Sequence, residues 1–203
     1  MATGSQPGTN LVQFDLVLER FKNNVKMPSS TGFEVRFMKP SETSRVASLA
    51  RSLQEYQKKK DCSRLPRGED FLRELVHVDN VGNLVANNNG TFTAVAVDLG
   101  KIGGADHCYI VGYLIYTQSF SIIHGRQLYI NSFFILQEYR RCGLGKQLIE
   151  FMKRHGKSLG HKGFDVPFMN NNTAGQTFYK KFGAYLTNEE YQLVGVDLKR
   201  GSG

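Results

Sequence analysis

The chain has 203 residues, of which 40% are hydrophobic and 22% charged, with a formal net charge of +8 and a pI near 9.4. That length and balance suit a soluble globular domain with a real core. No apolar run approaches the roughly 20 residues a bilayer span needs, so no membrane embedding is expected.

Residues 1–10 are small and polar and read as disordered. Leu11, Phe14, Leu18 and Phe21 stand at helical spacing with Asp15 and Glu19 opposite, which predicts a short accessory helix. Pro28, Ser29, Ser30, Thr31 and Gly32 read as a linker. Residues 33–38 alternate apolar Phe33, Val35 and Phe37 with charged Glu34 and Arg36, as a half-buried first strand does. Ser41 can cap a helix carrying Val46, Leu49, Ala50, Leu53 and Tyr56. Lys58, Lys59 and Lys60 open a basic loop, and residues 51–67 hold six Lys/Arg against two acids. A second helix is predicted over 69–78, burying Phe71, Leu72, Leu75 and Val76. The turn Asn87-Asn88-Asn89-Gly90 leads into a strand at 91–99, followed by long strands at 109–120 and 127–136. A central helix runs to about Gly160, then come a strand at 164–169, a helix at 174–182 with Gly183 as its C-cap, and a last strand at 191–198. The predicted order is β-α-α-β-β-β-α-β-α-β, with no internal repeat.

The three cysteines, Cys62, Cys108 and Cys142, are widely spaced and make no metal or redox motif, so reduced thiols and no metal are expected. No signal-peptide core is seen, and the first thirty residues make a poor transit peptide, which points to the cytoplasm. The basic balance invites a nucleic-acid reading, yet no nucleic-acid-binding motif accompanies it, and none is expected.

The chemistry centres on residues 130–152. Ile130 to Leu136 is an apolar strand containing Asn131, Ser132, Phe133, Phe134 and Ile135. Leu144, Leu148 and Met152 mark one face of the following helix. Between them lies Arg140-Arg141-Cys142-Gly143-Leu144-Gly145-Lys146, an Arg-x-x-Gly-x-Gly loop. A strand that breaks into glycines and opens a helix can cradle a phosphate, because bare backbone amides and the helix dipole both favour an anion. The nucleotide P-loop is excluded, since Arg140 stands where its first glycine belongs and Gln147 follows Lys146. The dinucleotide fingerprint is excluded by Arg141 and Leu148. A helix start with two permissive glycines and no ligand remains the plain alternative.

The loop resembles the pyrophosphate loop of the GNAT acetyltransferases. Asn172, followed by a helix with Phe178, Tyr179 and Gly183, resembles the second half of that family's cofactor site in type and spacing. The resemblance implies an α/β GNAT fold, a mixed sheet of about six to seven strands flanked by about four helices. Its bounds would be an N-terminal extension over 1–31, the acetyltransferase domain over 32–198 and a tail over 199–203.

Gly112-Tyr113, Leu128-Tyr129, Phe133-Phe134, Tyr139-Arg140, Phe178-Tyr179-Lys180 and Glu189-Glu190 are similar to the diamine (spermidine/spermine) acetyltransferase branch, which includes thialysine-type relatives. This implies a homodimer that moves acetyl from acetyl-coenzyme A to a primary amine of a small molecule without a covalent enzyme intermediate. The polyanionic cofactor would give the basic surface a use. Phe134 and Ile135 would offer backbone groups to the pantetheine and thioester, with a donor from the Phe133 to Ile135 strand polarising the thioester oxygen. The loop from Arg140 to Lys146 would hold the pyrophosphate, and Asn172 the pantetheine arm. Tyr179 would be the general acid, although a core tyrosine on an amphipathic helix is its other reading.

The acceptor side departs from the branch. Asn131 and Ser132 replace a Glu-Asp pair whose Glu helps deprotonate the amine, and an amide and a hydroxyl take no proton at pH 7. Ser121 replaces an acid in the hairpin after the third strand, and Tyr56-Gln57 a Tyr-Glu pair at the end of the first helix. Glu189 and Glu190 remain. The resemblance therefore implies an N-acetyltransferase for which spermidine and spermine are poor substrates. The alternatives are a catalytically weak cofactor-binding paralogue acting through a partner, or an enzyme acting on a peptide or protein amine.

Overall fold

The computed structural model describes residues 32–57, 70, 75–78, 84–86, 90–103, 107–167 and 172–183. They fall into two compact units, one within residues 1–167 and the other within 168–203.

The first unit is built on a five-stranded mixed sheet. Its strands are β1 (Phe33–Phe37), β4 (Thr91–Asp98), β5 (Ile110–Ser121), β6 (Gly125–Ile135) and β7 (Gly163–Asp165), in that spatial order. All neighbours run antiparallel except β6 and β7. A separate antiparallel pair joins β2 (Val76–Val78) to β3 (Leu84–Ala86). Helix α1 (Thr43–Tyr56) covers one face of the sheet and α2 (Leu144–Ser158) contacts β1, β4, β5 and β6.

The two-residue period of the strands sorts the side chains between these helices. Val95, Val97, Tyr113, Ile115 and Phe134 form one buried cluster with Val46 and Leu49 of α1. On α2, the predicted stripe of Leu144, Leu148 and Met152 is buried, joined by Ile149 and Phe151. His155 lies on the same helix among the rings of Phe37 and Phe92, and its Nδ1 is 2.8 Å from the Tyr116 hydroxyl. Burial, with repulsion from His161 second, pushes its imidazole down to about 4.

The start of α1 is fixed by a buried ion pair. Glu42 receives two bonds from the Arg36 guanidinium, at 2.9 and 2.6 Å, one from the Lys39 amide and one from the Tyr109 hydroxyl. Burial alone would raise this carboxyl, but the donors outweigh it and hold it below its ordinary value.

The mixed α/β class and the main strands agree with the sequence expectation, with differences of detail. The predicted helix over 69–78 ends early: Val76–Val78 is a strand, because β-branched valines paired with Leu84–Ala86 favour the ladder over the helical period. Among the described residues the large sheet has five strands and a second sheet has two. The accessory segment at 11–21, the lysines at 58–60 and the strand expected at 191–198 lie outside the described residues.

In the second unit, α3 (Thr173–Lys180) starts where predicted. The Asn172 side-chain oxygen accepts from the Gly175 amide at 2.9 Å, a regular N-cap. Phe178 makes edge contacts with the rings of Tyr179 and Phe182.

Candidate functional site

The glycine loop is where the sequence places it, and its backbone is unusual. After a 3-10 turn at Gln137–Tyr139 the chain is extended at Arg140, left-handed at Arg141 (φ +69°) and left-handed again at Gly143 (φ +90°). A non-glycine residue in that region is uncommon. Left-handed residues near successive amides are a hallmark of anion-binding backbone nests. Gly143 is the N-cap of α2 and offers no side chain, so the first-turn amides of Leu144, Gly145 and Lys146 have no side-chain cap. A Cβ at Gly143 would meet nothing within 4 Å. Leu144 is buried and anchors the turn, while Arg141, Cys142, Gly143 and Lys146 are exposed. The loop thus presents amides, a helix N-terminus and cations to open space, which fits a pyrophosphate.

Several contacts hold this loop to the sheet. The Tyr139 hydroxyl donates to Asp98 Oδ2 at 3.0 Å, and Phe33 meets the Tyr139 ring edge-on at 6.0 Å. The Cys142 thiol donates to the Tyr139 carbonyl. Arg140 Nε donates to the Ile135 carbonyl at 2.9 Å. Its guanidinium lies 4.4 Å from the Tyr56 ring centre and 5.5 Å from that of Phe134. Sequence reasoning missed Asp98 as the anchor of Tyr139, and no short-range pattern joins residues 41 positions apart.

Strand β6 leads into the loop. It pairs with β7 only over Gln127–Tyr129, and beyond that no strand flanks it on this side among the described residues. The Leu136 amide donates to the Val111 carbonyl on the β5 side. By alternation Phe134 also turns its backbone groups to β5, while those of Phe133 and Ile135 point away from β5, the Ile135 carbonyl toward Arg140 Nε. The Phe134 backbone thus faces β5, and its ring centre lies 5.5 Å from the Arg140 guanidinium.

The acceptor-side candidates are only partly brought together. Ile115 pairs with Ser132 and Tyr116 with Ile130, so Asn131 is the extra residue of a β-bulge. Asn131 is exposed there. Ser132 is turned to the α1 face, where its hydroxyl is 2.7 Å from that of Tyr113. Burial pushes the Tyr113 phenol up to about 12, with the Ser132 bond acting the other way. Gln57 is the C-cap of α1, its amide bonded to the Leu53 carbonyl. Ser121 is elsewhere: it stands at the β5–β6 turn, accepting from the amides of Ile123 and His124. That is six residues along β5 from Ile115, about 20 Å at strand rise. Glu189 and Glu190 lie outside the described residues.

In the second unit Tyr179 is the buried residue of α3, and burial pushes its phenol above its ordinary value. It is a neutral proton donor at pH 7. Among the described residues no cluster of His, Cys, Asp and Glu could hold a metal ion, and no helix is long and apolar enough to cross a membrane.

Comparison with known proteins gives a consistent picture. The Acetyltransferase (GNAT) family profile matches residues 49–184, about two thirds of the chain. Thialysine N-epsilon-acetyltransferase of Bos taurus is 26% identical over 157 residues, which is 77% of this chain and 86% of that protein. The Sus scrofa protein of that name is 25% identical over 150 residues, 74% of this chain and 82% of that protein. Among solved structures, an aminoglycoside acetyltransferase from an uncultured soil metagenomic sample aligns with a TM-score of 0.59 at 18% identity, covering 83% of this chain and 99% of that one. A ribosomal-protein-alanine N-acetyltransferase from Brucella melitensis biovar Abortus 2308 aligns with a TM-score of 0.58 at 13% identity, covering 81% and 100%. At these identities the solved structures speak to the fold, and the family profile carries the assignment: the chain is an acetyltransferase of the GNAT family.

Proposed function

We propose that this enzyme transfers acetyl from acetyl-coenzyme A to a primary amine of a small molecule that carries less positive charge than spermidine or spermine. The observation that carries the reading is the uncapped, left-handed turn at Arg141–Gly143, which opens α2. When bound, acetyl-coenzyme A supplies an activated thioester. The amides from Arg141 to Lys146, with the cationic side chains of the loop, hold the pyrophosphate. The backbone groups of Phe133 and Ile135 hold the pantetheine arm in the manner of a neighbouring strand. An amide of this strand steadies the negative charge that develops on the thioester oxygen. Asn172 adds a contact to the pantetheine.

Attack of the amine nitrogen on the acetyl carbon would break the carbon–sulfur bond, with Tyr179 giving its phenolic proton to the departing sulfur and regaining one from solvent. A raised phenol keeps that proton available at neutral and moderately alkaline pH. The amine's own surplus proton passes to water, because Asn131 and Ser132 are not bases. The lack of acid at these two positions supports a weakly charged acceptor.

The test mixes the protein with acetyl-coenzyme A and a panel of amines of increasing charge and follows release of free thiol. Turnover should be fastest on a singly charged amine and should climb as pH approaches the amine's own pKa. Spermine turned over as fast as the best small amine at pH 7 would refute the reading of the acceptor. No thiol release with any amine would refute the enzyme's proposed reaction.

A further inference from the structure

Tyr56 ends α1 and is 58% exposed, yet its ring has a neighbour. What it meets is Arg140, whose guanidinium carbon lies 4.4 Å from the ring centre. The same guanidinium lies 5.5 Å from the centre of Phe134, a buried ring of β6. Its Nε is fixed to the Ile135 carbonyl, which leaves the two terminal amino groups without a protein partner among the described residues. The head of a long flexible side chain is therefore held by two rings and one carbonyl, at the first residue of the glycine loop. Holding it in advance lowers the conformational entropy that an anion would otherwise have to remove on binding.

We propose that Tyr56 is a positioning residue of the donor site, whose ring holds the Arg140 guanidinium ready for the cofactor's pyrophosphate. This inference rests on the reading that coenzyme A occupies the loop. It moves Tyr56 from the amine side, where the sequence comparison put it, to the cofactor side. The reason is geometric: one face of the ring lies against a cation, and a positively charged amine has no cause to approach that cation.

The experiment measures coenzyme A affinity by calorimetry and steady-state constants with acetyl-coenzyme A and with S-acetylpantetheine, which lacks the pyrophosphate. Tyr56→Leu should weaken coenzyme A binding about two- to fivefold, the range of an exposed cation–ring contact. Tyr56→Phe, which keeps the ring, should recover most of that loss. In an Arg140→Gln background Tyr56→Leu should have no further effect, and the KM for S-acetylpantetheine should be unmoved. A Tyr56→Leu protein that binds coenzyme A as wild type does, or that changes only the KM for the amine, overturns the proposal. So does a loss that persists in full when Arg140 is already Gln. Wild-type protein that binds no coenzyme A overturns the donor-site reading along with this one. Normal wild-type binding with an unaffected Tyr56→Leu variant overturns this inference alone.

Discussion

Helix α2 carries its own control for the role of the loop. A left-handed glycine stands at each end of it: Gly143 at φ +90° before the first turn, Gly160 at φ +80° just past the last. A Cβ added at either would meet nothing within 4 Å, so neither alanine collides with protein. Both substitutions should cost the strain of a left-handed L-residue, about 1–2 kcal/mol. For a chain of this size that lowers the melting temperature by roughly 2–8 °C. Only Gly143→Ala puts a methyl group at the mouth of the amide cradle. If it displaces the pyrophosphate from one charge-assisted hydrogen bond, about 1.5–3 kcal/mol is lost, which is on the order of ten- to a hundredfold in affinity. The assay pairs thermal melts of the free proteins with calorimetry of coenzyme A. Similar melts with affinity lost only in Gly143→Ala are expected. Equal affinity in the two variants would show that the N-terminus of α2 is not where the cofactor's phosphates sit.

Three other outcomes are expected. Tyr179→Phe should lower turnover on the order of 100- to 10,000-fold with coenzyme A affinity nearly unchanged, since a general acid acts in the transition state; normal turnover would remove Tyr179 from the mechanism. His155 is held neutral in the folded state, down to about 4 from an ordinary 6.5, so its contribution to stability is intact above pH 6.5 and is lost as pH falls through that value toward 4. The unfolded chain binds the extra proton, the loss approaches about 3 kcal/mol by pH 4, and urea midpoints that fall no more steeply in wild type than in His155→Gln would contradict this. Asn131→Glu should speed spermidine turnover at pH 7 by restoring an acid at an exposed site beside the reacting strand; an unchanged rate would show that a missing base does not limit the reaction.

The parts of this protein that could be read from its sequence are those governed by local period. Leu144, Leu148 and Met152 repeat every four residues, and the structure buries all three on one helix face. The alternation in 33–38 became β1, and Asn172 caps the helix that was read after it. Arg-x-x-Gly-x-Gly marked the turn because left-handed backbone demands glycine, and Gly143 supplies it. Arg141 takes a similar conformation with a side chain, which no sequence rule would have proposed. Val76–Val78 went the other way: its apolar residues fitted a helix period, and a long-range partner at Leu84–Ala86 decided otherwise.

The acceptor side was harder to read because one residue changes the parity of a strand. Side chains at alternate positions share a face, so by count Ser132 belongs with Ile130, among the residues that meet α2. The bulge at Asn131 breaks that count. It turns Ser132 to the opposite face, onto the phenol of Tyr113, and leaves Asn131 itself exposed. Two adjacent residues that a sequence comparison treats as a pair therefore have different employments. Ser132 satisfies a buried hydroxyl, while Asn131 faces solvent and is available to a ligand. On the proposed reading only Asn131 of the two would bear directly on the amine, and an amide there can orient a water molecule without taking its proton. Proton removal would then fall to solvent, which would favour amines that already spend an appreciable fraction of time neutral. The proposal of a less charged acceptor thus draws on one inserted residue in β6 as much as on the missing carboxylates.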